Sequence, residues 1–324
     1  MACKTYLAQG IAQRFSDEVR ADIASITATP SAPRPTLVAF LANTDPAART
    51  YADWTAKACS DVGVHFDLRV VERTHLEDHI MDANKDPAVH GTMVYYPVFG
   101  AGQDQYLQNI VSPAKDVEGL CHTYRYNMYH NVRFLDPPTN AEKCIIPCTP
   151  LAVVKVLEHL HVYNPMLPYG GRLYGKTIAV VNRSEVVGRP LAALLANDGA
   201  RVLSIDVGDV LEFHRGPGLQ HQQHVVVETS LSAKDALKLA DVVITGVPSP
   251  SYKAPVDVLK NGVVAINFSS EKNFDAPAIK QRASLYVPTV GKVTIAMLQR
   301  NLVRLYRYQM AKAAAAGQVQ AKSE

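Results

Sequence analysis

Ile11, Phe15, Val19 and Ile23 repeat every fourth residue, the spacing of one buried helix face. Downstream, strands are predicted at 36–42, 66–72 and 91–98, the first and last of them as nearly unbroken apolar runs. Such runs lack the alternation of a half-exposed sheet and predict parallel strands covered on both faces. Between the first two strands, Asn43-Thr-Asp-Pro46 predicts a helix start, with Asp45 as cap and Pro46 preorganised for the first helical position. Tyr51, Trp54, Ala58 and Val62 mark that helix's predicted apolar face, and Gly63 its end. A second helix over 75–81 completes a βαβαβ half.

Residues 113–150 are polar, tyrosine-rich and loop-like, closing on Ile145-Ile-Pro-Cys-Thr-Pro150. A helix over 151–160 then leads to further apolar strands near 177–181, 201–206, 241–247 and 262–268. The polar stretch 207–232 predicts a surface insertion with a short helical turn at 210–213. Its His214, His221 and His224 lack cysteine or clustered carboxylate companions, so a solvated loop is expected and no metal centre. A final helix runs from 294 to about 315, with Ala296, Met297, Leu302 and Leu305 on its apolar face and a frayed tail over 317–324.

The most informative stretch lies between Lys176 and Asp206. Strand Thr177-Ile-Ala-Val-Val181 meets the turn Asn182-Arg-Ser-Glu-Val-Val-Gly-Arg-Pro190, then a helix through Leu191, Leu194 and Leu195, then strand Arg201-Val-Leu-Ser-Ile-Asp206. A helix N-terminus after a parallel strand offers free N–H groups and a positive dipole end to a pyrophosphate. A carboxylate closing the next strand accepts from both ribose hydroxyls and repels a 2′-phosphate, so Asp206 points to NAD rather than NADP. The usual Gly-x-Gly-x-x-Gly is absent: Asn182, Ser184 and Val187 hold its places, with Gly188 one beyond. Ser184 is therefore either part of a pyrophosphate cradle or a plain helix cap.

Composition narrows the class. The 324 residues suffice for two domains, and 48% hydrophobic with 19% charged residues describes a soluble globular protein. A formal net charge of +3 gives no nucleic-acid or membrane footprint, and no apolar run approaches the ~20 residues of a bilayer span. Five cysteines without paired spacing predict free thiols in a reducing compartment, with the cytoplasm as the expected location.

Six segments in order carry a resemblance. They are Ala47-Ala-Arg-Thr-Tyr51, Gly91-Thr-Met-Val-Tyr-Tyr-Pro97, Lys115-Asp-Val-Glu-Gly119, Ile146-Pro-Cys-Thr-Pro150, the 182–190 turn and Val293-Thr-Ile-Ala-Met-Leu298. Together they resemble the methylenetetrahydrofolate dehydrogenase/cyclohydrolase family from about Ile11 to Arg304. The family's bifunctional members carry Tyr-x-x-x-Lys after the first strand, the lysine being essential to cyclohydrolase chemistry. Here Tyr51 is present, but Thr55 replaces the lysine, and Lys57 lies about 200° away around the helix. Tyr95 replaces the glutamine of Val-Gln-Leu-Pro, Glu118 the second acid of Asp-Val-Asp-Gly, and the glycine-rich loop is reduced to Pro288-Thr-Val-Gly-Lys-Val-Thr294.

The resemblance implies an NAD-linked α/β enzyme of folate one-carbon metabolism and purine biosynthesis that stops at 5,10-methenyltetrahydrofolate. Tyr51 would line the folate ring, Glu118 would accept from the pterin's amino-pyrimidine edge, and Thr55 and Tyr95 would shape the catalytic pocket. Cys148 is catalytic or structural. Arg183, Ser184 and Gly188 would cradle the pyrophosphate, Asp206 would select NAD, and Thr245 and Gly246 would line the cofactor cleft. The expected architecture is two α/β domains. The folate-binding domain comprises 1–150 plus 293–324, to which the C-terminal helix returns; 151–292 forms a Rossmann-like, doubly wound NAD domain. A homodimer is implied by the resemblance alone. A bifunctional enzyme using Lys57 or Lys115, and a non-catalytic NAD sensor, are the alternatives.

Overall fold

The computed structural model describes residues 3–216 and 223–320. Strand β1 (Lys4–Thr5), helix α1 (Ala8–Thr27), β2 (Thr36–Leu41), α2 (Pro46–Val62) and β3 (His65–Val70) open the chain. There follow α3 (Leu76–Lys85), β4 (Gly91–Val94), α4 (Ala101–Ile110), α5 (His122–Tyr129) and α6 (Cys148–His159). Next come β5 (Thr177–Val181), α7 (Gly188–Asn197), β6 (Arg201–Ile205), β7 (Val210–Arg215), β8 (His224–Glu228), α8 (Ala233–Leu239) and β9 (Val242–Thr245). The last elements are β10 (Val263–Asn267), α9 (Ala276–Arg282), β11 (Ala283–Val287) and α10 (Gly291–Gln320). No helix among the described residues is long and apolar enough to cross a membrane.

The residues divide into two compact units. One holds Met1–Ala12, Tyr126–Arg133 and Thr149–Thr294; the other holds Gln13–Arg125, Phe134–Cys148 and Ile295–Glu324. The main crossings fall within two residues of the expected 150 and 292, but residues 1–12 and 126–133 join the first unit. Long-range pairing explains this. Strand β1 pairs in parallel with β11, and Arg133 reaches Asp198 at 2.8 Å, neither of which is visible from local pattern.

The first unit is built on an eight-stranded sheet of order β1-β11-β10-β9-β5-β6-β7-β8. All its pairings are parallel except β6–β7 and β7–β8. Strand β5 lies between β6 and β9, so the chain's progress across the sheet reverses there and its carboxyl end is a topological switch point. Leu203, Val243, Ala265 and Ile279 belong to the core beneath it, each fully shielded from solvent. The helical turn expected at 210–213 is instead strand β7. Val210 to Phe213 pair antiparallel with Ile205 to Val202, and this cross-strand ladder overrides weak local preference. Of the three histidines there, His214 and His224 lie in β7 and β8, and His221 lies outside the described residues.

The second unit contains the parallel sheet β3-β2-β4, with Val38 and Phe40 packed on Leu76 and Ile80. Helix α2 starts as its sequence directs: the Asp45 carboxylate accepts from the Ala47 N–H at 2.9 Å, and Pro46 follows the cap. It stops at Gly63, whose φ of 88° is costly for any residue with a Cβ. Its buried stripe is Ala52, Thr55, Cys59 and Val62, rotated from the expected face, and Trp54 is 63% exposed. Strand β4 ends at Val94 rather than 98, because the Tyr96 N–H turns back to the Val94 carbonyl and Pro97 has none to offer.

Candidate active-site elements

At the carboxyl ends of β5 and β6 lies a cavity of about 710 Å3, lined among others by Asn182, Arg183, Ser184, Asp206 and Val207. The turn beside it demands glycine. A Cβ on Gly188 would lie 2.0 Å from the Asn182 carbonyl oxygen, so α7 approaches the β5 turn more closely than a side chain allows. Asn182 adopts a φ of 149°; its side chain accepts from the Ser184 N–H and donates to the Gly246 carbonyl, tying the turn to the end of β9. The Ser184 hydroxyl accepts from the N–H groups of Val187 and Gly188 at 3.3 and 3.4 Å, closing the turn that leads into α7. Asp206 is exposed at the tip of β6 and accepts from the Val207 N–H at 2.8 Å.

Three expected cofactor residues are placed differently. The Arg183 guanidinium lies along β6 rather than over the first turn of α7: it donates to the Ser204 hydroxyl at 3.1 Å, the Ser204 carbonyl at 2.6 Å and Asp209 at 2.6 Å. Thr245 is fully buried in the sheet, and Gly246 packs so tightly that a Cβ would meet the Phe268 ring at 1.8 Å. The cavity wall beyond β9 is formed by Val247 and Pro248 instead.

In the second unit, Tyr51, Tyr95 and Glu118 cluster. The Tyr51 and Tyr95 rings meet edge to face with centroids 6.2 Å apart. Glu118 accepts from the Val94 N–H at 3.0 Å, which fixes its carboxyl at the end of β4. Its side chain is densely surrounded yet keeps a solvent-facing side. Burial first, and then the Asp116 carboxylate, raise its pKa from 4.5 to about 8, against the stabilising Val94 N–H. The hydroxyls of Tyr95 and Tyr96 are buried and have no hydrogen-bond partner among the described residues. Burial raises both their pKa values, that of Tyr95 being partly offset by the adjacent Thr55 hydroxyl, which lies outside hydrogen-bonding geometry. Thr55 is fully buried and donates to the Tyr51 carbonyl at 2.8 Å.

Cys148 sits at the start of α6, where its thiol donates to the Val117 carbonyl at 3.2 Å. Burial, then the charges of Glu118 and Asp116, hold it well above an ordinary thiol, so it stays protonated. Its bond to the Val117 carbonyl tethers the start of α6 to the loop that carries Glu118.

Two residues that the motifs left without a role hold this arrangement. Asp116 is buried and accepts from the N–H groups of Glu118, Gly119 and Cys121, folding the loop that presents Glu118. Asn301 on α10 donates to the carbonyls of Val117 and Ile146 at 2.9 and 3.2 Å, joining the Glu118 loop to the segment before Cys148. The signal for Asp116 was its place in Lys115-Asp-Val-Glu-Gly119; Asn301 gives none, because its partners lie more than 150 residues away.

A parallel-sheet cavity with an acid at a strand tip, and a separate cluster of two tyrosines around a half-buried acid, define an α/β protein of nucleotide-dependent enzymes. The sequence matches the tetrahydrofolate dehydrogenase/cyclohydrolase catalytic domain over 7–118 and the corresponding NAD(P)-binding domain over 147–211. The chain belongs to that family. It is 54% identical over 311 residues to a methylenetetrahydrofolate dehydrogenase (NAD(+)) of Schizosaccharomyces pombe, covering 96% of this chain and 95% of the relative. A protein of the same name from Dictyostelium discoideum is 48% identical, covering 93% of each. The structure of the NAD-dependent 5,10-methylenetetrahydrofolate dehydrogenase from Saccharomyces cerevisiae superposes with a TM-score of 0.90 at 52% identity, covering 95% of this chain and 98% of that one.

Proposed function

We infer that this protein is an NAD-dependent methylenetetrahydrofolate dehydrogenase, oxidising 5,10-methylenetetrahydrofolate to the 5,10-methenyl compound without hydrolysing it further. The close relatives support the oxidation. The exposed Asp206 carboxylate on the cavity rim, the tight Gly188 turn and the cavity's size fit an NAD. Bound there, NAD supplies the hydride acceptor. Removing hydride from the carbon between N5 and N10 leaves a cation shared by both nitrogens, and no protein group has to take a proton. The chain's task is therefore to hold and orient the folate. Ionised Glu118 accepts from the amino-pyrimidine edge, the Tyr51 ring covers the pterin, and the free hydroxyls of Tyr95 and Tyr96 offer it hydrogen bonds.

Position 55 carries the second half of the proposal. Hydrolysis needs water activated and a proton moved, work worth ~10²–10⁴-fold from a placed acid/base. Thr55 cannot do it: its pKa lies far outside the working range and its proton is committed to Tyr51. Lys57 is exposed and pairs with Asp61 at 3.3 Å, while Lys115 is held by the carbonyls of Ala83 and Asp86 at 2.8 and 2.6 Å. The test is purified protein with 5,10-methylenetetrahydrofolate and either NAD or NADP, followed by the decay of added methenyl compound. Reduction of NAD with methenyl decay at the enzyme-free rate is expected; accelerated decay would refute the proposal. Five free cysteines support a reducing, cytoplasmic location, and a homodimer and a role in purine supply complete the proposal.

A further inference from the structure

Arg183 is a cation on the wall of a cavity expected to refuse a phosphate. Among the described residues, three of its five N–H donors are spent on Ser204 and Asp209, and its side chain is only 14% exposed. Two donors remain, on a group that lines the same cavity as Asp206. A guanidinium so placed is a natural partner for a phosphate on the adenosine ribose, and its bidentate fork suits that anion. Asp209, 54% exposed and 2.6 Å away, cancels its charge from the far side. Lys234 and Asp257 also line the cavity, so its two carboxylates and two cations balance, and Asp209, paired with Arg183, tips the sum to negative.

We propose that Asp209 is a specificity-determining residue: it holds and neutralises Arg183, so that the cavity rejects a 2′-phosphate even where Asp206 does not act. The proposal rests on the dinucleotide assignment above and deepens it. Asp206 opposes the phosphate directly, and Asp209 acts as a positioning residue through Arg183. The two carboxylates are then coupled. Removing Asp206 alone leaves a neutral Arg183–Asp209 pair, whereas removing both leaves a guanidinium still held by Ser204 but with its charge no longer balanced. The gain from the double change exceeds the product of the single gains, and it vanishes without the arginine.

The experiment is calorimetric binding of adenosine 2′,5′-bisphosphate and of NAD to the full chain. The set is the unaltered protein, Asp206→Ser, Asp209→Asn, both together, and both with Arg183→Ala; Asp209→Ser repeats the series with a shorter side chain. The double variant is expected to bind the bisphosphate at least about tenfold tighter than Asp206→Ser, at the strength of a charge-assisted hydrogen bond, and Arg183→Ala to erase that gain. Measurable NAD binding by the unaltered protein without any such coupling would overturn the proposal alone, as would a gain that survives Arg183→Ala. Absence of NAD binding by the unaltered protein would overturn the dinucleotide assignment and this proposal with it.

Discussion

The role proposed for Glu118 turns kcat/KM for the folate into a titration curve. Its carboxyl is raised to about 8, first by burial and then by the neighbouring Asp116. Only the ionised form accepts two N–H groups from an amino-pyrimidine edge, so at pH 7 roughly one free enzyme molecule in ten is ready for substrate, and at pH 6 roughly one in a hundred. The kcat/KM for the folate is therefore expected to rise about 50-fold between pH 6 and 8 and to level off above, reporting the free enzyme. The effect on stability has the opposite sign. Between about 4.5 and 8 the folded chain keeps a proton that the unfolded chain has released, so Glu118's contribution is fully present below 4.5 and is lost as pH rises towards 8. Replacing Glu118 by glutamine exchanges one acceptor for a donor, and kcat/KM at pH 8 should fall by roughly 10–100-fold with the slope below pH 8 removed. Steady-state kinetics with NAD saturating, from pH 6 to 9, decide it. A flat profile in the unaltered protein, or an unchanged slope in Glu118→Gln, would refute the reasoning.

Two other expectations follow from the geometry. Gly188→Ala drives a Cβ to 2.0 Å from the Asn182 carbonyl, so α7 must shift; a loss of at least ~1–3 kcal/mol in denaturant unfolding and a raised KM for NAD are expected, with the folate KM unaffected. Cys148→Ser keeps a donor to the Val117 carbonyl, so kcat should stay within about threefold and reagents needing a thiolate should react slowly with the unaltered protein; a large loss of kcat would make the thiol catalytic.

Local chemistry made some elements legible. Asp45, Pro46 and Gly63 write both ends of α2 in side chains that act on their own backbone. The buried strands at 36–41 and 177–181 announce themselves as apolar runs. What stayed hidden depends on distant partners. The two residues of β1 are strand only because β11 lies beside them, and β7 lost its helical expectation to the ladder with β6. Helices α4 and α5 lie in polar, tyrosine-bearing sequence that carries no clean helical period. The candidate residues divide in the same way. Tyr51, Glu118 and Asp206 could be named from motif and strand end, but the direction of Arg183 is set by Ser204 and Asp209, 21 and 26 positions on. Asn301 had no local sign at all.

The buried threonine of α2 also bears on what a single substitution in this pocket can achieve. Position 55 has no solvent access, and Tyr95, itself 5% exposed, stands beside it. A lysine placed there alone would meet a phenol instead of water, and a desolvated ammonium surrenders its charge. Under the function proposed above, adding hydrolysis at this place therefore takes at least two coordinated changes, neither useful without the other. The packed pair would work like a latch that a single substitution does not lift.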